Sequence, residues 1–448
     1  MTASARDLAL ATPPGRDRYV DLLRVASLGT VIGGHWLMAA VSGDGIGNLL
    51  ALVPGLQVLT WGLQVMPVFF FVGGFSHALS YRSLARRSDP AASVYAAFLR
   101  ARLRRLLRPT LVFVLVWAAA ALAVQLAGYG GGRLTGAALR MVTQPLWFIG
   151  IYLAMVAFTP PLLKLHERHG WAAFAALAGS AALVDVLRFA FGVPYVEFLN
   201  FALVWLAVHQ LGFLRADGRI RRSALLAAAG LAGAVLLVAY GPYPLSMVGM
   251  PGEKVSNMAP PTLALLAHAM WLVGAVQLLA RPAGAWLDRP RVWRGVVAAN
   301  GVAMTAFLWH LTAMLGVYGA QLALGPDLPA PAGAAWWAQV PVRILAASAL
   351  TAGFVALFRR FEAAPAAPAE SRTAAAGGAA GLVAALGITL CLLGILGLSM
   401  TGLGGLLDGH SATLIAFPVT APVAIGMALA GALLVERSAP ARSVRLGG

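Results

Sequence analysis

Charge is scarce in this chain. Only 11% of its 448 residues are Asp, Glu, Lys or Arg, whereas 60% are hydrophobic. Soluble domains typically carry about 25% charged residues, so this balance excludes a soluble globular fold and indicates a polytopic membrane protein. Carboxylates are scarcer still: 16 acids face 33 Lys and Arg, for a formal net charge of +17. In a soluble chain that excess would suggest nucleic acid. Here the arginines fall in short segments between apolar runs, where they determine topology, and no nucleic-acid partner is expected. The single cysteine, Cys391, excludes a disulfide within the chain and a thiolate metal cluster. No His, Asp and Glu group has metal-ligand spacing, so neither a metal nor a bound cofactor is expected. A convincing internal repeat is also missing, which weakens a transporter built from inverted repeats. The abundance of Ala, Gly and Arg matches a GC-rich bacterial composition.

What is present is a series of apolar runs. Twelve candidate spans lie near 19–41, 56–80, 110–128, 146–163, 171–189, 198–214, 223–240, 262–280, 296–320, 338–358, 381–400 and 412–435. Proline pairs and Arg-Pro steps, including Arg108-Pro109, Pro160-Pro161 and Arg281-Pro282, are expected at or near their ends. With the N-terminus inside, 27 of the 33 basic residues fall in inner segments, three in outer segments and three within spans. That asymmetry predicts cytoplasmic N- and C-termini and a multi-pass protein of the bacterial cytoplasmic membrane, in contact with its lipids. The expected division is a tail over 1–18, a ten-helix core over 19–360, an Ala/Pro/Gly linker over 361–380, two further membrane helices over 381–435 and a tail over 436–448. A cleaved signal peptide is a rival for the first run, but Asp21 and Arg24 interrupt it, so a retained helix is expected.

That first run, YVDLLRVASLGTVIGGHWLMAAV, holds Asp21, Arg24 and His35. Ionisable groups in hydrocarbon are costly and usually face a protein interior or a wet cavity. Arg24 and His35 stand eleven residues apart, so on a helix they return to one face about 16 Å apart. His35 is therefore a candidate for proton chemistry and Arg24 for gripping an anion; their bland alternatives are interhelical hydrogen bonding and snorkelling to the surface. His310, at similar expected depth, is a second candidate for the same cavity, and Asn300 is placed near the inner end of its helix. Asp185 and Arg188 are expected to neutralise each other. His77 and His209 read as interfacial, His268 as packing, and His166, His169 and His410 as solvated.

Between Ser80 and Pro109 lies the longest inner loop, whose distal part places Arg100, Arg104 and Arg108 at i, i+4 and i+8 with Arg105 beside them. Such a basic helical stripe suits anionic lipid headgroups or the phosphates of coenzyme A. The longest outer loop, Gly241 to Thr262, contains Glu253, Lys254 and Asn257, which are candidates for contact with an acceptor.

These residues resemble the bacterial membrane-bound acyltransferase 3 family. The Arg and His separated by ten residues on the first helix form its hallmark, matched by Arg24 and His35. Further echoes are MPVFFFVGGF (Met66 to Phe75), RRLLRP (Arg104 to Pro109), PLWFIGIYL (Pro145 to Leu153) and FLWH (Phe307 to His310). The resemblance covers about residues 16 to 360. Where the family often has Ser-Gly-Phe, this chain has Gly73-Gly74-Phe75, so that serine hydroxyl is missing; the last two helices lie outside the resemblance.

The resemblance implies an all-α transmembrane helical bundle that moves an acyl group, often acetyl, from cytoplasmic acyl-CoA to a hydroxyl or amine of a carbohydrate, a lipid-linked sugar or a secondary metabolite. It implies acyl-CoA as co-substrate, the arginine stripe as its phosphate cradle, and His35 as general base or as an acyl-histidine nucleophile. Trp147 and Trp309 are candidates to line the cavity or to sit in an interfacial belt. A secondary transporter or flippase, with Arg24 and His35 as coupling groups, is the alternative from another class. Oligomeric state is not readable.

Overall fold

The computed structural model describes residues 5–13, 15–42, 45–88, 93–129, 132–250, 253–325, 328–362, 377–414 and 417–438. The linker expected over 361–380 therefore lies mostly outside the described residues, as do Arg372, Arg442 and Arg445. Among the described residues ten helices are long and apolar enough to cross a membrane, eleven when Leu263–Leu278 and Ala280–Leu287, bent by 49°, count as one span. Arg18–Met38 accounts for the remaining apolar run. It is a helix of 21 residues, but Asp21, Arg24 and His35 leave it less apolar than the others. The fold is all-α and polytopic. Among the described residues its strands form two short antiparallel hairpins, Ala39–Ser42 with Gly45–Asn48 and Ser411–Leu414 with Phe417–Thr420.

Several boundaries differ from the sequence expectation. The distal part of the inner loop is helical: one helix of 33 residues, Val94–Leu126, runs through the arginine stripe and through Pro109. At 1.5 Å per residue it is about 50 Å long, well beyond a hydrocarbon core of about 30 Å. Its basic first half therefore extends past the apolar second half, with Ser93 capping the start by accepting from Ala96 N at 3.2 Å. Pro160 and Pro161 likewise lie inside Pro145–His169 rather than at its end. The expected 296–320 run is two helices, Pro290–Asn300 and Ala303–Leu324. Residues 412–414 and 417–420, assigned to the last span from hydropathy alone, belong to paired strands, and the helix begins at Ala421.

The chain has two compact units: Met1–Ala78 with Pro161–Ala303 and Gly325–Leu345, and Leu79–Pro160 with Met304–Leu324 and Ala346–Gly448. Small residues set the helix spacing inside each. Lipid tails are as apolar as leucine, so helices in a membrane associate through close van der Waals approach, which glycine permits. In the first unit Ser223–Tyr240 meets Leu263–Leu278 this way: a Cβ on Gly230 would lie 2.3 Å from Trp271 N, and one on Gly274 2.4 Å from Ala227 N. Gly74 and Gly212 bring Met66–Ala85 against Asn200–Ala216, since a Cβ on Gly74 would lie 2.1 Å from the His209 carbonyl oxygen.

In the second unit Gly377–Thr401 and Ala421–Ser438 form a pair closed by Gly394 and Gly431, whose added Cβ atoms would lie 2.5 Å from the carbonyl oxygens of Ala424 and Gly387 respectively. This pair also reaches Pro145–His169, where a Cβ on Gly150 would lie 2.4 Å from Leu396 Cδ2. The start of Ala303–Leu324 is satisfied from outside the helix. Glu362 accepts from Met304 N at 3.0 Å, Thr305 N at 2.9 Å and Thr305 Oγ1 at 2.6 Å. Burial raises the Glu362 pKa, and the bonds from Thr305 and Met304 oppose that rise.

Two outcomes are expected. Gly230→Ala forces backbone apart from backbone and should lower stability by about 1–3 kcal/mol, read as a lower thermal midpoint in detergent. For Glu362, the folded state binds the proton more tightly than the unfolded state, so its ionisation costs stability as pH rises from the ordinary carboxylate range through the raised value. Glu362→Gln should flatten that slope in melting curves recorded against pH.

Candidate functional site

The Arg18–Met38 helix is held at its first turns by polar groups from elsewhere in the first unit. Asp17 caps it, accepting from Val20 N at 3.1 Å and from Arg215 Nη2 at 2.7 Å. Asp21 is buried and takes a two-pronged bond from Arg16, at 2.5 and 3.1 Å. Tyr19 donates its hydroxyl hydrogen to the Val276 carbonyl at 2.5 Å. Asn300 Nδ2 donates to the Asp21 carbonyl at 3.2 Å. Asn300 thus ends the separate Pro290–Asn300 helix and braces the first helix, rather than starting the helix that bears His310.

Arg24 and His35 follow on the same unbroken helix, so the separation of about 16 Å and the shared face hold. Both side chains are partly buried. Arg24 Nη2 donates to Ser76 Oγ at 3.2 Å. The hydroxyl missing at Gly73 is therefore not lost to this region: one is supplied three positions later. Gly74 is not a free substitution either, since the helix crossing with Gly212 requires it. A Cβ placed on Gly29, Gly33 or Gly34 would meet no atom within 4 Å.

His310 is fully buried in the second unit, and its Nδ1–H donates to the Phe307 carbonyl of its own helix. That bond places a ring hydrogen on Nδ1. Trp309 is enclosed by aromatics, stacked on Phe354 at 4.9 Å and Phe358 at 4.2 Å, with Phe113 edge-on at 5.2 Å. It is 4% exposed and so belongs to the core rather than to a cavity wall or an interfacial belt. Trp147 is partly exposed. Of the basic stripe, Arg105 and Arg108 are exposed, with Arg108 over the Phe361 ring at 5.9 Å. Arg100 and Arg104 instead bond Glu436, at 3.3 and 2.8 Å.

The outer loop is a built structure. Asn257 is fully buried and spends its amide on the carbonyls of Pro244 and Ser246, at 2.8 and 2.9 Å, while accepting from Thr262 Oγ1 at 2.8 Å. It ties the loop together, where an exposed acceptor contact was expected. Glu253 and Lys254 are exposed. Asp185 is also spent on this side: it accepts from Tyr243 Oη at 2.9 Å, Asn200 Nδ2 at 2.9 Å and Leu263 N at 2.7 Å. Arg188 lies over the Phe189 ring at 4.7 Å.

Three histidines are more buried than their sequence positions suggest. His77 and His209 are fully buried with ring centroids 5.2 Å apart, and His209 Nδ1 bonds the Phe70 carbonyl at 3.2 Å. His166 is fully buried between Gln210, at 2.8 Å, and Asp217, at 2.9 Å. His268, expected as packing, is buried with Nε2 2.8 Å from the Trp61 carbonyl. His77 and His209 lie in mid-helix and His166 in the last turn of its helix, and the elements that cover them are distant in sequence. Among the described residues no group of three or more His, Cys, Asp or Glu is placed to hold a metal.

A charged helix with Arg and His on one face, inside an all-α membrane fold, agrees with the comparison to known families, where residues 17–360 match the acyltransferase 3 domain, described as an acyltransferase domain. The chain belongs to the acyltransferase 3 family. It is a multi-pass membrane acyltransferase. Searches of curated proteins and of solved structures found no match. In this acyltransferase the matched region ends before the Gly377–Thr401 and Ala421–Ser438 pair.

Asn257→Ala should act on the outer loop as a structural defect. Two carbonyls lose their donor, and the unmet buried groups should cost about 1–3 kcal/mol of stability. Glu253→Gln and Lys254→Met, at exposed positions, should leave the melting midpoint unchanged, and the three variants can be compared in one thermal series.

Proposed function

We propose that this acyltransferase moves an acyl group, most simply acetyl, from cytoplasmic acyl-CoA to a hydroxyl of a carbohydrate, lipid-linked sugar or secondary metabolite, in a bacterial cytoplasmic membrane with its termini inside. The observation that carries this is the Arg18–Met38 helix itself: a guanidinium held by Ser76 and, about 16 Å along the same face, an imidazole. A pantetheine arm is about as long as that interval.

In this mechanism a nitrogen of His35 takes the proton of the acceptor hydroxyl as its oxygen attacks the thioester carbonyl carbon. The carbon–sulfur bond breaks, and the departing thiolate takes the proton back from the imidazolium, giving coenzyme A and the acyl ester. Arg24 orients the donor and keeps its place through Ser76. The exposed guanidiniums of the basic stripe suit the donor's phosphates, for which planar forks are better partners than ammonium groups. Positive charge concentrated in segments on one side supports the orientation.

The test is labelled acetyl transfer by the purified protein to a panel of sugar and macrolide-type acceptors. His35→Ala should lose activity by about 10²–10⁴-fold while still binding coenzyme A. Full activity in that variant would exclude His35 as the base. Ser76→Ala, which removes only the hydroxyl that holds Arg24, should raise KM for the donor with a smaller change in kcat.

A further inference from the structure

Glu436 lies in the last turn of Ala421–Ser438, outside the residues matched to the family. Its carboxylate spans two arginines of the basic stripe. Oε1 accepts from Arg104 Nε at 2.8 Å, and Oε2 accepts from Arg100 Nε at 3.3 Å. The arm that delivers it is rigid, because Gly394 and Gly431 hold its helix against Gly377–Thr401 with no room for a further methyl group. The pair is nevertheless open to solutes: the Glu436 side chain is 41% exposed and that of Arg104 27%. A carboxylate that approaches both guanidiniums through Nε makes the same kind of charge-assisted bond that a phosphate oxygen would make.

We propose that Glu436 is a built-in competitor for the donor's phosphates at Arg100 and Arg104, and that the appended helix pair thereby sets donor affinity. This rests on the assignment of the stripe to a phosphate-bearing donor. A phosphate arriving at these two arginines must displace the carboxylate or bind beside it against like-charge repulsion. Either way the anion on the appended helix opposes the anion on the donor. Arg105, exposed beside this pair, provides the first landing point. The acidic group needs no titration to act; it needs only to be moved aside, and the length of a glutamate side chain permits that while the helix stays docked.

Full-length wild type, Glu436→Gln and Glu436→Asp should be titrated with coenzyme A and, as a phosphate-poor control, with pantetheine, at low and at high salt. Removing one charge at contact distance from a polyanion should tighten coenzyme A binding by about three- to tenfold at low salt, with the gain shrinking as salt screens it. Pantetheine binding should not change. Glu436→Asp, too short to span both arginines, should shift affinity in the same direction by less, and it serves where Glu436→Gln lowers the melting midpoint too far to measure. Unchanged or weaker coenzyme A binding by a folded variant would overturn the proposal and leave Glu436 as a pin for the helix pair. Wild type that binds no coenzyme A at low salt would overturn the donor assignment itself, and the proposal with it.

Discussion

Hydrocarbon offers no water to a guanidinium, a carboxylate or an imidazole, so every such group on a membrane helix must be answered by protein. The Arg18–Met38 helix is built under that constraint. Its first two turns carry Asp17, Asp21 and Arg24, answered by Arg215, Arg16 and Ser76, while Tyr19 and Asn300 add bonds to backbone carbonyls. The helix is therefore oriented about its axis by its N-terminal end. His35 receives its position from that anchoring, because a rigid helix transmits rotation along its length.

The same constraint explains why most intramembrane polar residues here are structural. Asp185 collects three donors, His166 lies between Gln210 and Asp217, and His209 bonds a carbonyl of the neighbouring helix. Each is satisfied inside a small-residue helix contact or at a loop junction. Arg24 and His35 differ in their surroundings. Arg24 is held by the Ser76 hydroxyl, and His35 is partly buried on the same face of the helix.

The appended helix pair changes the meaning of the basic stripe. Taken alone, four arginines on one helix look like a strong anion site. Glu436 joins two of them from more than 330 residues away and leaves Arg105 and Arg108 exposed. Positive charge and anion affinity are separate quantities, because a tethered carboxylate lowers the local potential without altering the arginines.

Much of this architecture is legible in the chain. The apolar runs mark their helices because hydropathy and helix length are local quantities, and the eleven-residue interval between Arg24 and His35 specifies a common face through helix geometry alone. Boundaries were lost where local signals conflict. Pro109 reads as a helix end but sits inside Val94–Leu126, and the apolar residues after Ala412 read as span but pair as a hairpin. The tertiary structure alone decided which polar groups meet. Ser76 for Arg24, Asn300 for the Asp21 carbonyl, the buried role of Asn257 and the reach of Glu436 all join positions that no periodicity links. Sequence pattern records which surface a residue presents along its own helix; what stands opposite depends on how distant helices pack.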